Sequence, residues 1–428
     1  MVFGLFNTCA THAERARVER DIAAGAWSAA LVVQAARSAG TDDGDIARYL
    51  AYANAILGRP YAAYYVRPAA GWRADDIAND PARSPVVTSA PLVPYRDFSV
   101  EYPPGFFALA LLPAAIASSD AGFALAFSLW MGLLLTGAVW LAARTARRLG
   151  IPDDAVVRLS ALAALAVGVI CVRRFDAVVA ISVCGLVFGV VSRRPWMAGL
   201  LFGLGIAAKG IPLLVAPFPI VVYVTHRRWR ELAIAAAAAI AVVAAALLPF
   251  VDAPLVDMLR YHGERPIQVE STWGALLAIA SVVAPVQAKF TYGSLNVVAG
   301  FDGPLRAIAS ALPVAAWLAL IVHAVRGPAD DRRMIRLMAV AIALYMVLGK
   351  VFSPQYLTWL LPAGVLASLT AGRAEQRLFL AAMLATQLIY PLLYLTALPW
   401  TASPLFGAVV LVRNGLLAVW AVRLVRAA

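Results

Sequence analysis

The run Leu232-Ala233-Ile234-Ala235-Ala236-Ala237-Ala238-Ala239-Ile240-Ala241-Val242-Val243-Ala244-Ala245-Ala246-Leu247-Leu248-Pro249-Phe250-Val251 decides the fold class. It carries no charged or hydrogen-bonding side chain. Crossing a bilayer takes roughly 20 apolar residues of helix, and this run meets that length. On one side it is preceded by His226-Arg227-Arg228-Trp229-Arg230, on the other followed by Asp252. Basic residues gather at cytoplasmic helix ends, so the run predicts a spanning helix that leaves the cytoplasm near Arg230.

Working outward, similar runs lie at 22–39, 121–142, 155–172, 176–192, 195–208, 210–225, 305–325, 334–349, 356–371, 378–398 and 402–422. Two more, 104–119 and 273–286, are short enough either to cross or to dip in from one face. If both cross, Arg144, Arg147, Arg148 and the Arg227/Arg228/Arg230 cluster fall outside, against the charge rule. If both dip, these clusters fall inside together with Arg193/Arg194, Arg332/Arg333/Arg336, Arg373/Arg377 and Arg423/Arg426. The expectation is therefore an all-α polytopic membrane protein of about twelve spans, with both ends cytoplasmic and with outer juxtamembrane or re-entrant helices. The chain reads as one membrane domain over 1–428, with a first outer loop region at 40–119 and a second at 252–304. The start, with Glu14, Arg15, Arg17, Glu19 and Arg20, reads as a cytoplasmic lead-in rather than a cleaved signal peptide.

Composition agrees: 62% of the 428 residues are hydrophobic and 14% charged, too apolar for a soluble chain of this length. Net charge is +12, from 36 Lys and Arg against 24 Asp and Glu, scattered singly or in pairs. That pattern fits anionic headgroups and membrane lipids, not nucleic acid. Cys9, Cys171 and Cys184 have no metal-ligand spacing, and no pair of His at i and i+4 exists, so neither a metal nor a cofactor is expected. P-loop and dinucleotide glycine fingerprints are absent as well.

The charge assignment puts the remaining polar strings on the outer face. In Asp45-Ile46-Ala47-Arg48-Tyr49-Leu50-Ala51-Tyr52, a helix places Asp45, Tyr49 and Tyr52 on one face. A carboxylate beside phenols suits a hydroxyl-rich substrate, although a carboxylate at a helix start is also favoured simply as a cap. The loop ends in Glu101-Tyr102-Pro103-Pro104-Gly105, where adjacent prolines fix the joint with the membrane. Arg173-Arg174-Phe175-Asp176 and Lys209 put charges at membrane depth, where they are functional candidates, or partners of one another, for instance Arg174 with Asp176. Arg413 interrupts the last run. Tyr261-His262-Gly263-Glu264-Arg265-Pro266-Ile267-Gln268-Val269-Glu270-Ser271 is the densest polar string after the first loop. Ser353-Pro354-Gln355-Tyr356-Leu357-Thr358-Trp359 stands at the mouth of a span, where Tyr and Trp belts are general.

Taken in order, Asp-x-x-x-Tyr at 45–49, Tyr-Pro-Pro at 102–104, Lys-x-x-Pro at 209–212, Arg-Pro-Ile-Gln-Val-Glu-Ser at 265–271 and Ser-Pro-Gln-Tyr-x-x-Trp at 353–359 resemble the GT-C membrane glycosyltransferases. The nearest resemblance is to glycosyltransferase family 87, the polyprenol-phosphate-mannose-dependent mannosyltransferases. What the resemblance implies is transfer of a sugar, mannose in the family, from a polyprenyl-phosphate donor to a glycolipid or glycan acceptor on the outer side of the plasma membrane. Asp45 matches the family's acidic base in the first outer loop. A phosphate leaving group needs cations rather than a general acid, so one carboxylate suffices and inversion is expected. The resemblance further implies that Lys209, Arg265 or Arg413 holds the phosphate, that His262 orients a substrate, and that Tyr49, Tyr52, Glu101, Arg174, Asp176, Glu270, Gln355 and Tyr356 shape the site. A transporter or lipid flippase is the alternative class; such folds show internal repeats and midplane sites, and neither is evident here.

Overall fold

The computed structural model describes residues 44–66, 86–396, 398–399 and 401–428. The expected cytoplasmic lead-in, the first span at 22–39, the start of the first outer loop at 40–43 and the loop segment 67–85 lie outside the described residues. Helices dominate: α1 (Gly44–Ile56), α2 (Phe106–Ile116), α3 (Asp120–Arg148), α4 (Asp153–Val167), α5 (Ala177–Val191), α6 (Pro195–Lys209), α7 (Pro217–Thr225) and α8 (Trp229–Leu247) form the first half. The second half has α9 (Val256–Glu264), α10 (Thr272–Ala280), α11 (Asp302–Arg326), α12 (Asp331–Leu348), α13 (Leu357–Ala371), α14 (Arg373–Gln387) and α15 (Pro404–Arg426).

Among the described residues, four helical segments are long and apolar enough to cross a membrane: α3, α8 extended to Phe250, α11 and α15. The other expected spans that fall within the described residues form shorter helices. In several, local chemistry supplies the break. Run 155–172 stops at Gly168, whose φ is +81°, and resumes as a single turn over Ile170–Arg173. Run 210–225 begins as a 3-10 turn at Ile211–Val215 around Pro212. Run 378–398 ends its α-helix at Gln387, and Tyr390 is non-helical ahead of Pro391. The two ambiguous runs yield α2 with 11 residues and α10 with 9, about half a bilayer core at 1.5 Å per residue.

The core is a belt of helices around α5 and α13, both buried along nearly their whole length. α5 packs against α3, α6 and α13, while α13 also meets α4, α12 and α14. α6 and α8 approach closely because Gly199 and Gly203 face the backbone of Ala235 and Ala239. α8 and α11 expose apolar side chains such as Ile240, Leu312 and Leu318 outward, as a lipid-facing helix does.

The all-α expectation needs one correction. The second outer region holds a three-stranded antiparallel sheet ordered β3 (Ile267–Gln268), β5 (Ser294–Val298), β4 (Gln287–Thr291). In the first loop β1 (Tyr61–Ala62) pairs with β2 (Val86–Val87). The β4–β5 hairpin closes on Tyr292-Gly293, both at positive φ, the backbone a two-residue hairpin loop requires. Ile267, Val269, Leu295 and Val297 form a second, smaller core with Phe406 and Val410 of α15.

Candidate active site

α1 stops at Ile56 ahead of Gly58, at φ +65°, and Pro60. Its first turn carries Asp45, where a carboxylate meets the positive end of the helix dipole. Asp45 Oδ2 lies 2.7 Å from Arg174 Nε, and Oδ1 lies 3.7 Å from Arg48 Nη1. The expected Arg174–Asp176 pair is thus replaced by Arg174 with Asp45 and, at 2.7 Å, Lys209 with Asp176. Arg174 is extended while Asp176 already has helical backbone at the start of α5. Asp45 remains 21% exposed, so its side chain reaches an open edge of the site.

The two phenols on the Asp45 face turn inward. Tyr49 sits edge-on to Tyr102, Phe106 and Phe175 and tilted against Phe127, buried in an aromatic knot. Tyr52 donates to Glu101 Oε2 at 2.7 Å, and Arg48 Nη1 donates to Glu101 Oε1 at 2.6 Å. Burial first, and then the Glu101 charge, push the Tyr52 phenol well above its ordinary range and keep it a donor. Glu101 is itself buried, and its carbonyl oxygen accepts from His262 Nε2 at 3.0 Å.

The Tyr-Pro-Pro-Gly joint holds this carboxylate against α6. Gly105 N donates to Ala207 O at 2.9 Å, and a Cβ at 105 would fall 2.6 Å from the Ala207 carbonyl carbon. Two residues further on, Lys209 stands over the rings of Phe175 at 4.3 Å, Trp359 at 5.2 Å and Tyr356 at 5.6 Å. Asp176 Oδ1 accepts from both Lys209 and the Trp359 indole, and Tyr356 stacks on Trp359 at 4.0 Å. Both Asp176 and Trp359 are buried.

Arg265 differs from the other cations. It follows α9, faces Tyr261, Tyr356, Tyr102 and Tyr345, and among the described residues has no carboxylate within ion-pair distance. Its Nε is buried with no hydrogen-bond partner. Desolvation lowers the His262 pKa, opposed by the bond to Glu101 and reinforced by Arg265, so the imidazole is neutral near pH 7.

Asp45, Glu101, Arg174, Asp176, Lys209, His262 and Arg265 therefore gather in one neighbourhood, with Tyr49, Tyr52 and Tyr356 as its walls. Arg413 and Glu270 belong to a second, deeper cluster. Arg413 Nη2 donates to the Glu270 carbonyl at 2.9 Å, its guanidinium lies 3.7 Å over Phe352, and neither residue is solvent-exposed. Asn414 and Gln268 complete that cluster. Gln355 is half-buried and makes no side-chain hydrogen bond or ion pair among the described residues.

Sequence reasoning passed over Arg48, Trp359 and the Tyr292-Gly293 turn. Arg48 had a signal, standing three residues after Asp45 on the same helical face. Trp359 read as an ordinary belt residue, and its bond to Asp176 depends on packing that no local pattern records. Among the described residues no group of three or more His, Cys, Asp or Glu is arranged to hold a metal ion.

The sequence model of glycosyltransferase family 87 matches residues 101–354, more than half of the chain. The matched stretch includes Glu101, Arg174, Asp176, Lys209, His262, Arg265 and Glu270; Asp45 precedes it, and Gln355, Tyr356 and Arg413 follow it. No curated protein and no solved structure matches the chain.

Proposed function

Because the chain belongs to glycosyltransferase family 87, a glycosyltransferase with apolar, membrane-suited helices, we propose that it moves a sugar from a polyprenyl-phosphate donor to a glycolipid or glycan acceptor. Mannose is the assigned sugar, and the reaction runs on the periplasmic or extracellular face of a plasma membrane that the chain crosses about twelve times in a GT-C-like arrangement. The observation that carries this reading is the joining of Asp45, through its 2.7 Å pair with Arg174, to the family-matched residues beside Arg265, which has no carboxylate partner among the described residues.

The chemistry follows from the charges. Arg174 engages Oδ2 of Asp45, leaving Oδ1 to take the proton of an acceptor hydroxyl. The acceptor oxygen then forms its bond to the anomeric carbon as the bond from that carbon to the phosphate oxygen breaks on the opposite side, inverting the centre. The electron pair leaves on the phosphate, which needs positive charge and no proton. Arg265 is the best phosphate holder: Lys209 is already neutralised by Asp176, and Arg413 is buried against Glu270 and Phe352. Tyr49 and Tyr52 serve as walls that fix Asp45 and Glu101, and His262, neutral, steadies the loop that carries Glu101. No observation favours a transporter.

The test is a donor screen on the purified chain in nanodiscs. Polyprenyl phosphates carrying mannose, arabinofuranose or glucose are offered with candidate glycolipid acceptors, beside nucleotide sugars, and products are read by mass spectrometry. Turnover of a lipid-linked donor alone supports the reading, with mannose expected. Turnover of nucleotide sugars, or of no lipid-linked donor, contradicts it.

A further inference from the structure

The β4–β5 hairpin meets the site at its tip, where Gly293 lies against Arg48. A Cβ on Gly293 would lie 3.0 Å from Arg48 Nη2 and 3.1 Å from Nη1, so the tip backbone rests on the guanidinium. Arg48 in turn stands between two carboxylates, at 2.6 Å from Glu101 and 3.7 Å from Asp45. The tip is itself fixed from two directions. Tyr261 Oη donates to the Tyr292 carbonyl at 2.5 Å, and Asn296 Nδ2 donates to the Thr291 carbonyl at 2.7 Å and to its hydroxyl at 2.9 Å. The same sheet pairs β5 with β3, which begins two residues after Arg265.

We propose that Arg48 is a positioning residue for the catalytic carboxylate, and that the Tyr292-Gly293 turn sets its place by pressing on the guanidinium. A planar guanidinium can serve Glu101 and Asp45 together, which a point charge cannot do as well. Glycine suits 293 on two counts: its φ of +65° costs glycine least, and a Cβ there would press on the Arg48 guanidinium. The hairpin thereby ties the cation of the donor side, Arg265, to the base of the acceptor side through one rigid sheet. This proposal rests on Asp45 being the base.

The experiment is a double-mutant cycle on the full chain in nanodiscs, with the lipid-linked donor that the wild type consumes. Arg48→Gln should lower kcat roughly 10- to 100-fold, the scale of a misplaced catalytic group, with donor KM changed less than about twofold. Gly293→Asn tolerates positive φ yet adds a Cβ against Arg48, so it should lower kcat about tenfold at an unchanged melting temperature. The double variant should be no slower than Arg48→Gln alone, since both changes act through one group. If Arg48→Gln does not purify as a folded chain, Arg48→Lys takes its place in the cycle. Losses that multiply, or wild-type kcat in either folded single variant, would overturn the proposal. Asp45→Asn run in parallel separates the two readings: if it stays active the base assignment fails, whereas if it is inactive while the cycle is additive only the positioning role fails.

Discussion

Arg265 carries the sharpest residue-level consequence of the site, since its guanidinium is desolvated with no counter-ion among the described residues. Supplying that counter-ion is what a donor phosphate does, and a hydrogen bond to a charged group is worth about 1.5–3 kcal/mol. Arg265→Gln should therefore raise donor KM by about tenfold or more in steady-state assays. Lys209→Ala should lower thermal stability, because Asp176 would be left buried with only the Trp359 indole. A KM rise confined to the Lys209 variant would reverse these roles. His262 gives a pH dependence. Its folded-state pKa is lowered from the ordinary 6.5, so its contribution to stability is complete above about that pH and is lost as pH falls through the folded value. Melting temperature should fall between pH 7 and pH 5 by more in the wild type than in His262→Gln; equal slopes would remove this histidine from the balance. At this scale the sequence was informative about which residue types matter and poor on who pairs with whom. Asp45, Glu101 and Arg265 were readable as candidates because polar strings stand out in an apolar chain. The exchange of partners between Arg174, Asp176, Lys209 and Asp45 was not readable, because it depends on how α1 lies against the 173–176 turn.

Among the elements, the α6–α8 contact is the one most dependent on small side chains. A Cβ at Gly199 would stand 2.0 Å from the Ala235 carbonyl oxygen, so the helices touch through backbone. Gly199→Val should destabilise the chain by roughly 1–3 kcal/mol, seen as a lower melting temperature in detergent, while Gly415→Val, where nothing lies within 4 Å, should not. Similar losses at both positions would contradict the close packing. Helices were legible from apolar runs, and one end from Gly58 and Pro60, whereas the breaks at Gly168 and Pro391 fall inside runs that read as continuous. The β4–β5 hairpin was not legible. Gln287–Thr291 alternates polar and apolar residues over five positions only, and the sheet it joins is completed by β3 and packed on α15, which lie elsewhere in sequence.

For the whole molecule, charge asymmetry organises the reading. Basic clusters such as Arg227/Arg228/Arg230 and Arg332/Arg333/Arg336 stand opposite the acidic and aromatic site in chain order, as a cytoplasmic face stands opposite an outer one. Labelling should show it. In a chain with Cys9, Cys171 and Cys184 replaced by alanine, Gln287→Cys on the hairpin should react with an impermeant maleimide from outside, and Ala329→Cys only after permeabilisation. The reverse pattern would invert the topology. Composition carried the membrane assignment at this scale, while span number depends on how each interrupted helix lies in the bilayer, a property of tilt and neighbours rather than of hydropathy.

The central claim is that this family 87 chain transfers its sugar with Asp45 as base, and Asp45→Asn tests it most directly, because the change keeps shape and removes only the proton acceptor. Sugar transfer from the consumed polyprenyl-phosphate donor should fall by about 100-fold or more, with donor binding retained. Turnover within about threefold of wild type, well short of what loss of a general base produces, would contradict it.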